Sequence, residues 1–511
     1  MINRLEINAH EGDLMHMMDA TLRMADGELP HLDFMTPIGI LGFAPVAGFV
    51  SLGYALGKAT LLANIAVAAA LLPAVWWVGA TRLKMGQALF FGAVVLIILT
   101  AAIFGGPTPL VSLSMYYNRW GWGIVFVVLA TVLFRPRVEI AESWVAPGIV
   151  GAGMAALAML KMTFFAPLAP FVLLVLLLQR RFGLVFRAFM LGAIIGLGLL
   201  AWLGLDYFMA YFSDLLAVTG SQSDRVRPSK EFLSVMAGPT SLITTLVLML
   251  GVMVFRKSGQ MEEGLVVLLL LPVFSYITYQ NWGNDPKWLL LLALYFWVNL
   301  PDKAIVVSFA LPARDTLVVL LFIALTVIFP SVITMATSPV RAAFVYRADY
   351  KPLPMNQITD IWLPERRVSG MPIRVPMESM GPLFPLQDPV EINGFEFPDC
   401  NGAETIVPML LKMAQEAEAL ENVRGQPVLT ADVLSINWLY ADLARVKGAA
   451  PWYYGDFSGF DNAAFLMVPM CPIKPNLRRS MVSRFDEAGY QLNEVFRSDL
   501  MVLYSIVKPT G

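Results

Sequence analysis

The 511-residue sequence predicts an α-helical polytopic membrane protein of about ten spans plus interfacial helices, closed by a C-terminal extracytoplasmic α/β domain. Three observations carry that prediction. Hydrophobic residues make up 57% of the chain and charged residues only 14%, against roughly a quarter charged in an ordinary soluble domain. Apolar runs bounded by charges or turn residues recur as far as residue 336. Beyond residue 337 charges and prolines return, and no run there is long enough to span.

The apolar runs fall at 60–80, 86–104, 120–134, 143–160, 163–178, 188–207, 238–255, 264–280, 287–300 and 316–336. Their connections are unequal in charge. Arg82 and Lys84, Arg135 and Arg137, Arg180 with Arg181 and Arg187, Arg256 and Lys257, and Lys303 with Arg314 occupy every second one. Lys and Arg are retained on the cytoplasmic side, so these five connections are predicted to be cytoplasmic and the others extracytoplasmic. The run 36–57 breaks the count, because a full crossing there places Arg82 and Lys84 outside. Pro37, Pro45 and the interior glycines suit an interfacial or re-entrant segment, with an ordinary span as the alternative. Three regions result: an extracytoplasmic acidic segment with an amphipathic helix (1–35), a transmembrane domain (36–336) and a soluble domain (337–511).

Within the soluble domain, AETIVPMLLKMAQEAEAL has helical periodicity, while QPVLTAD, AAFLMVPM and LMVLYSIV read as short strands. Cys400 and Cys471, the two cysteines of the chain, both lie there. They suit one disulfide in an oxidising compartment, or two buried thiols. The net charge of −2 supplies no basic surface for nucleic acid. MINRLEINAHEGD lacks the apolar core of a secretory signal.

Residues 10–37, HEGDLMHMMDATLRMADGELPHLDFMTP, hold all three histidines and six acids. Leu14, Met17, Met18, Leu22 and Ala25 recur at three and four residues, which predicts an amphipathic helix on the membrane surface. Asp13 is placed to cap its start, Asp19 and Arg23 to pair one turn apart, and Gly27 with Pro30 to stop it. Asp19, Asp26 and Glu28 read as solvating and terminating residues. Glu11 and Asp13, separated by one glycine, bring two carboxylates to one small volume, where partial desolvation prepares one to accept a proton. His10, Glu11, Asp13 and His16 form an alternative metal set suited to Zn or Mn, although they match no strict ligand spacing.

This ExD pair, the helix behind it and the following GELPHLDFMTPIGILGF resemble the first extracytoplasmic loop of GT-C glycosyltransferases. Those polytopic enzymes use polyprenyl-phosphate-linked sugars, and include the bacterial aminoarabinose and protein-mannosyl transferases. The resemblance implies inverting transfer of a sugar from a polyprenyl phosphate to an extracytoplasmic acceptor, in the bacterial inner membrane. It implies helices that run along the bilayer after the acidic loop and a soluble domain outside the membrane. Asp13 is then the base or orienting carboxylate and Glu11 its assistant. No cofactor is required, with a divalent cation (Mg or Mn) as the alternative. Members of that superfamily place a transmembrane helix ahead of the loop, where this sequence has MINRLEINAH.

An anionic lipid phosphate as leaving group calls for cations. Arg119 in YYNRWGW, Lys287 in QNWGNDPKW, Lys161 at a hairpin among apolar residues, and Arg225 and Arg227, with Lys230, in a longer loop are the donor-phosphate candidates. Tyr117, Asn118, Asn281 and His16 are the predicted substrate contacts. Interfacial Trp, Tyr, Arg and Lys also anchor helices with no ligand at all. The rival class is a lipid-linked glycan transporter or flippase. Against it, the spans hold almost no ionisable residues of the kind that couple ion movement.

Overall fold

The computed structural model describes residues 4–103, 105–138, 143–220, 232–281, 286–302, 305–306, 311–380 and 390–508. In chain order its helices are α1 (Glu11–Ala25), α2 (Ala44–Ser51), α3 (Leu56–Arg82), α4 (Met85–Thr100), α5 (Tyr116–Leu133), α6 (Val145–Leu160), α7 (Met162–Leu178), α8 (Phe182–Leu203) and α9 (Leu205–Gly220). They continue with α10 (Phe232–Met236), α11 (Pro239–Lys257), α12 (Met261–Gln280), α13 (Leu289–Val298), α14 (Ala313–Phe344), α15 (Glu365–Val368), α16 (Ile406–Glu418) and α17 (Pro475–Glu487). Each of the ten predicted apolar runs is helical over most of its described length. Among the described residues, α3, α8, α11, α12 and α14 are long and apolar enough to cross a membrane, and α4, α6, α7 and α13 are shorter apolar helices.

The chain divides into two compact units, and their boundaries differ from the predicted ones. One unit gathers Met1–Thr60, Leu205–Ser229 and Ala343–Gly511; the other holds Leu61–Gly204 and Lys230–Ala342. The opening segment and α9 therefore belong with the C-terminal domain.

In the helical unit, α5 is buried along its whole length, as expected of a helix that is apolar on all sides. Gly121 lets the Phe164 ring of α7 lie against α5, since a Cβ there would meet that ring at 2.8 Å. Gly151 of α6 similarly admits the backbone of α8 at Ala188, the small-residue contact common between membrane helices. One end of the unit is knit together by the basic connections. Arg82 donates to the carbonyl of Phe134 at 3.1 Å, Arg181 to that of Val132 at 2.8 Å, Arg135 pairs with Glu262 at 3.1 Å, and Gln260 donates to the Asn299 carbonyl at 3.1 Å. Four of the connections predicted to share one side thus lie at one end of the bundle, with Asn299 at the end of α13 beside them; Lys303 of the fifth lies outside the described residues. At the other end, Ser338 accepts from the Ala102 amide and Thr334 donates to the Gly106 carbonyl.

The other unit has a four-stranded sheet of order β10-β11-β9-β8. Its strands are β8 (Val428–Thr430), β9 (Phe465–Pro469), β10 (Gln491–Arg497) and β11 (Met501–Val507). Strands β8 and β9 run parallel and the other pairs antiparallel. The three predicted strands are β8, β9 and β11, and the predicted helix is α16. A second sheet of order β1-β3-β2 joins β1 (Leu5–Glu6), β2 (Tyr350–Pro352) and β3 (Ile361–Pro364), so the chain's opening strand pairs parallel to a segment more than 350 residues away. Short hairpin strands β4 (Val375–Pro376), β5 (Val390–Ile392), β6 (Phe395–Phe397) and β7 (Cys400–Asn401) complete the unit. Cys400 and Cys471 form a disulfide, which settles the two alternatives open in the sequence.

Several expectations for the N-terminal segment need correction. Helix α1 does not present a polar face to water: Leu14 through Arg23 are all buried. Asp19, expected to solvate, accepts from Arg23 at 3.1 Å and from the Trp438 indole at 2.8 Å, and is 0% exposed. Internal pairing lets this helix bury its polar side as well as its apolar one. Asp26 and Glu28 pair with Arg445. The N-cap position belongs to His10 in a left-handed conformation, φ 62°, and Asp13 sits in the first turn. Residues 36–57 form a three-residue 3₁₀ turn and the eight-residue α2. At about 1.5 Å per residue, α2 is far too short to span. Finally, α9 occupies much of the region predicted as a long loop; Arg225, Arg227 and Lys230 lie outside the described residues.

Candidate functional site

In the sheet-containing unit, the predicted carboxylate pair stands at the start of α1. Glu11 is ion-paired with Arg367 of α15. That guanidinium engages one oxygen of the Glu11 side chain. Asp13 lies half-buried on the same turn. Its charge adds to burial in pushing the phenol of Tyr454 above its ordinary range. Gly12 between them packs on Ile406 and Trp452, where a Cβ would make ordinary contacts at 3.6 and 3.7 Å. His16 is buried with its ring 5.7 Å from that of Trp452, and His10 is exposed. Among the described residues, no group of three or more His, Cys, Asp or Glu side chains gathers as a metal cage, so His10, Glu11, Asp13 and His16 are not assembled as one.

A second acid of the same unit has a histidine partner. His31 approaches Asp214 of α9 at 2.8 Å, and Asp214 also accepts the Thr36 amide at 3.1 Å. The imidazole is edged by Tyr207 and lies 4.5 Å from the tilted ring of Tyr211. Burial raises the Asp214 carboxyl, with the His31 hydrogen bond opposing. This pair ties the turn after α1 to α9.

In the helical unit, four of the predicted residues meet. Lys161 ends α6 and begins α7. Its ammonium donates to the side-chain oxygens of Asn118 at 3.1 Å and Asn281 at 2.7 Å, and lies 5.1 Å from the Tyr117 ring centre. Asn118 and Tyr117 come from the start of α5 and Asn281 from the end of α12. Asn281 is itself held by its amide donating to the Ile277 carbonyl at 2.7 Å. The ammonium is half-buried on amides oriented by helix termini, an arrangement that fixes a positive charge in place.

The other two cations differ. Arg119 is fully buried and donates to the backbone carbonyls of Ala101, at 2.8 Å, and Ile103. It satisfies carbonyls released where α4 ends, the anchoring role that any interfacial Arg can have. Lys287 is also buried, its amino end resting on Gly105, where a Cβ would meet Nζ at 2.7 Å. A left-handed glycine, φ +104°, makes that approach feasible.

Sequence reasoning did not single out Arg367, Trp452, Tyr454 or the His31–Asp214 pair. The run PWYYGDF at 451–457 is a visible cluster of aromatics around an acid, and was a usable signal. Arg367 lies 356 residues from Glu11, and nothing local marks it.

No protein-family model matches the chain. No curated protein matches it. Solved structures similar to it include ArnT from Cupriavidus metallidurans in the apo state, with a TM-score of 0.40, 13% identity and coverage of 98% of this chain and 94% of that one. ArnT from Cupriavidus metallidurans bound to undecaprenyl phosphate is similar with a TM-score of 0.41, 13% identity and coverage of 99% and 94%.

Proposed function

We propose that the protein is a membrane glycosyltransferase of the GT-C kind, moving a sugar from a polyprenyl phosphate to an acceptor hydroxyl or amine outside the cytoplasm. One observation carries the reading beyond the sequence resemblance: Lys161, Asn118, Asn281 and Tyr117, drawn from three separate connections, converge on a fixed cation. The basic connections gather at the opposite end of the same bundle, and retention of Lys and Arg inside places that end in the cytoplasm. Lys161 then faces the extracytoplasmic headgroup region, where a carrier phosphate sits.

In this reading the acceptor oxygen or nitrogen attacks the anomeric carbon, and the bond from that carbon to the phosphate oxygen breaks. The sugar inverts, the electron pair leaves with the polyprenyl phosphate, and the acceptor's proton passes to a carboxylate. The sequence resemblance assigns that role to Asp13, and Glu11 is ion-paired with Arg367. Lys161 stabilises the phosphate charge that grows in the transition state.

The test is transfer from a labelled polyprenyl-phosphate sugar by purified protein with Lys161 replaced. Lys161→Ala is expected to lower kcat/KM by at least about a hundredfold, a typical loss for one oriented charge-stabilising group. Lys161→Arg should recover little, because a planar fork does not fit the two amide oxygens as a point charge does. Unchanged transfer in Lys161→Ala contradicts the assignment, and carrier movement across liposomes without transfer supports the flippase.

A further inference from the structure

We infer that the sheet-containing unit carries a saccharide-binding cleft between α17, the edge strand β10 and the β5–β6 hairpin, sharing no residue with the Asp13 group. The cleft measures about 780 Å³, within the roughly 300–1,000 Å³ usual for small-molecule sites.

Its walls are held in place. The hairpin turns through Asn393 and Gly394, at φ 52° and 81°, the two-residue turn whose twist matches its strands. The Asn393 amide donates to the Leu492 carbonyl of β10 at 2.6 Å. The Arg497 guanidinium, also on β10, lies 3.6 Å from the centre of the Phe395 ring. These two ties pin the hairpin to the strand. On α17, Arg479, Ser483 and Asp486 recur at four and three residues and so share the face that lines the cleft.

The edge of β10 supplies backbone as well. Ile506 of β11 gives its amide to the Ala464 carbonyl at 3.0 Å, on the β9 side. Leu492, which stands opposite Ile506, is therefore in a pair without mutual hydrogen bonds, and turns its own N–H and C=O toward the cleft. Asn393 occupies that carbonyl, so its side chain stands where a further strand would pair, which argues against an extended peptide as occupant. The N–H faces the cleft as a donor.

The side chains narrow the ligand class. Glu391 and Asp486 accept hydrogen bonds, Arg479 donates them, and the amides of Gln491 and Asn493 do both. Two carboxylates against one guanidinium disfavour a phosphate or carboxylate ligand. Among the described residues no three His, Cys, Asp or Glu side chains gather to hold a metal ion. Tyr490 completes the lining, its hydroxyl engaged with Asp461 and its ring edge-on to that of Phe485 at 5.2 Å. A fixed ring beside mixed donors and acceptors matches a ligand whose hydroxyls each donate and accept and whose C–H face is apolar. That ligand is a saccharide, neutral or bearing an amino group. Only its assignment to the remote part of a glycan acceptor rests on the transferase reading.

The experiment titrates the full-length protein in nanodiscs with N,N′-diacetylchitobiose, maltose and glucosamine, with glucuronate as the anionic control. The expected result is binding of at least one of the first three by the wild type, more tightly than glucuronate. Glu391→Ala, at an exposed position, and Tyr490→Ala should each weaken it about tenfold or more, whereas Tyr490→Phe, which keeps the ring, should bind close to wild type. Binding of none of the three sugars, tighter binding of glucuronate, or equal affinity in the wild type, Glu391→Ala and Tyr490→Ala overturns the inference. The expected pattern in a protein that transfers no sugar leaves the cleft standing and overturns the transferase reading.

Discussion

Asp19 is the residue whose loss should most disturb the sheet-containing unit. It is 0% exposed and accepts from the Arg23 Nε, at 3.1 and 3.2 Å, and from the Trp438 indole at 2.8 Å. Asp19→Ala leaves a buried guanidinium short of its partner and an indole N–H unpaired. Breaking a buried ion pair costs about 3–5 kcal/mol. Glu28, 3.0 Å from the other side of Arg23, holds that cost to the lower part of the range, and the stranded indole adds about 1 kcal/mol. The sum is about 4 kcal/mol. For a domain of this size each kcal/mol moves the midpoint by about 2–4 °C. Thermal unfolding of the solubilised protein, followed by tryptophan fluorescence, should therefore show a fall of roughly 10 °C. The double variant Asp19→Leu with Arg23→Met should recover most of the loss, because apolar replacement of a whole buried pair is often neutral. A fall of less than about 2 °C in Asp19→Ala refutes the reasoning, and so does a double variant as unstable as the single one.

Asp432 is fully buried and accepts three backbone amides, yet burial lifts its carboxyl from 3.8 to about 6. A folded value above the unfolded one stabilises the fold below about pH 4, and that contribution is lost as pH rises through 6, about 3 kcal/mol in all. Unfolding midpoints between pH 4 and 7 should lose this slope in Asp432→Asn. The disulfide closes a loop of 71 residues, so Cys400→Ser with Cys471→Ser should cost about 4 kcal/mol by the chain-entropy estimate, read as a lower midpoint that reductant no longer changes. A cysteine in place of Lys84 should react with an impermeant maleimide only after the membrane is opened; labelling from outside in intact cells inverts the topology.

The helical fold was legible because membrane spans are marked by local composition. Each apolar run became a helix, and alternate basic connections such as Arg82, Arg135 and Arg181 came together at one end. The sheet-containing unit was legible only in pieces. Strands β8, β9 and β11 carry β-rich runs, whereas the exposed β10, with its polar Gln491, Asn493 and Glu494, carries no such signal. Helix α1 was recognisable, but its environment was not. The partners that bury it, Trp438, Tyr440 and Trp452, stand more than 400 residues downstream. For the candidate site, residue types near helix ends sufficed to nominate Lys161, Asn118, Asn281 and Tyr117. They did not distinguish these from Arg119, because an arginine that binds carbonyls and one that binds phosphate look alike in sequence.

Transfer of label from a polyprenyl-phosphate sugar by wild-type protein, Glu11→Gln and Asp13→Asn tests the central claim most directly. The wild type should transfer, Asp13→Asn should lose about a hundredfold or more in kcat as expected for a missing general base, and Glu11→Gln should retain more activity than Asp13→Asn. Full transfer by Asp13→Asn, or none by the wild type with any polyprenyl-linked sugar, contradicts the account.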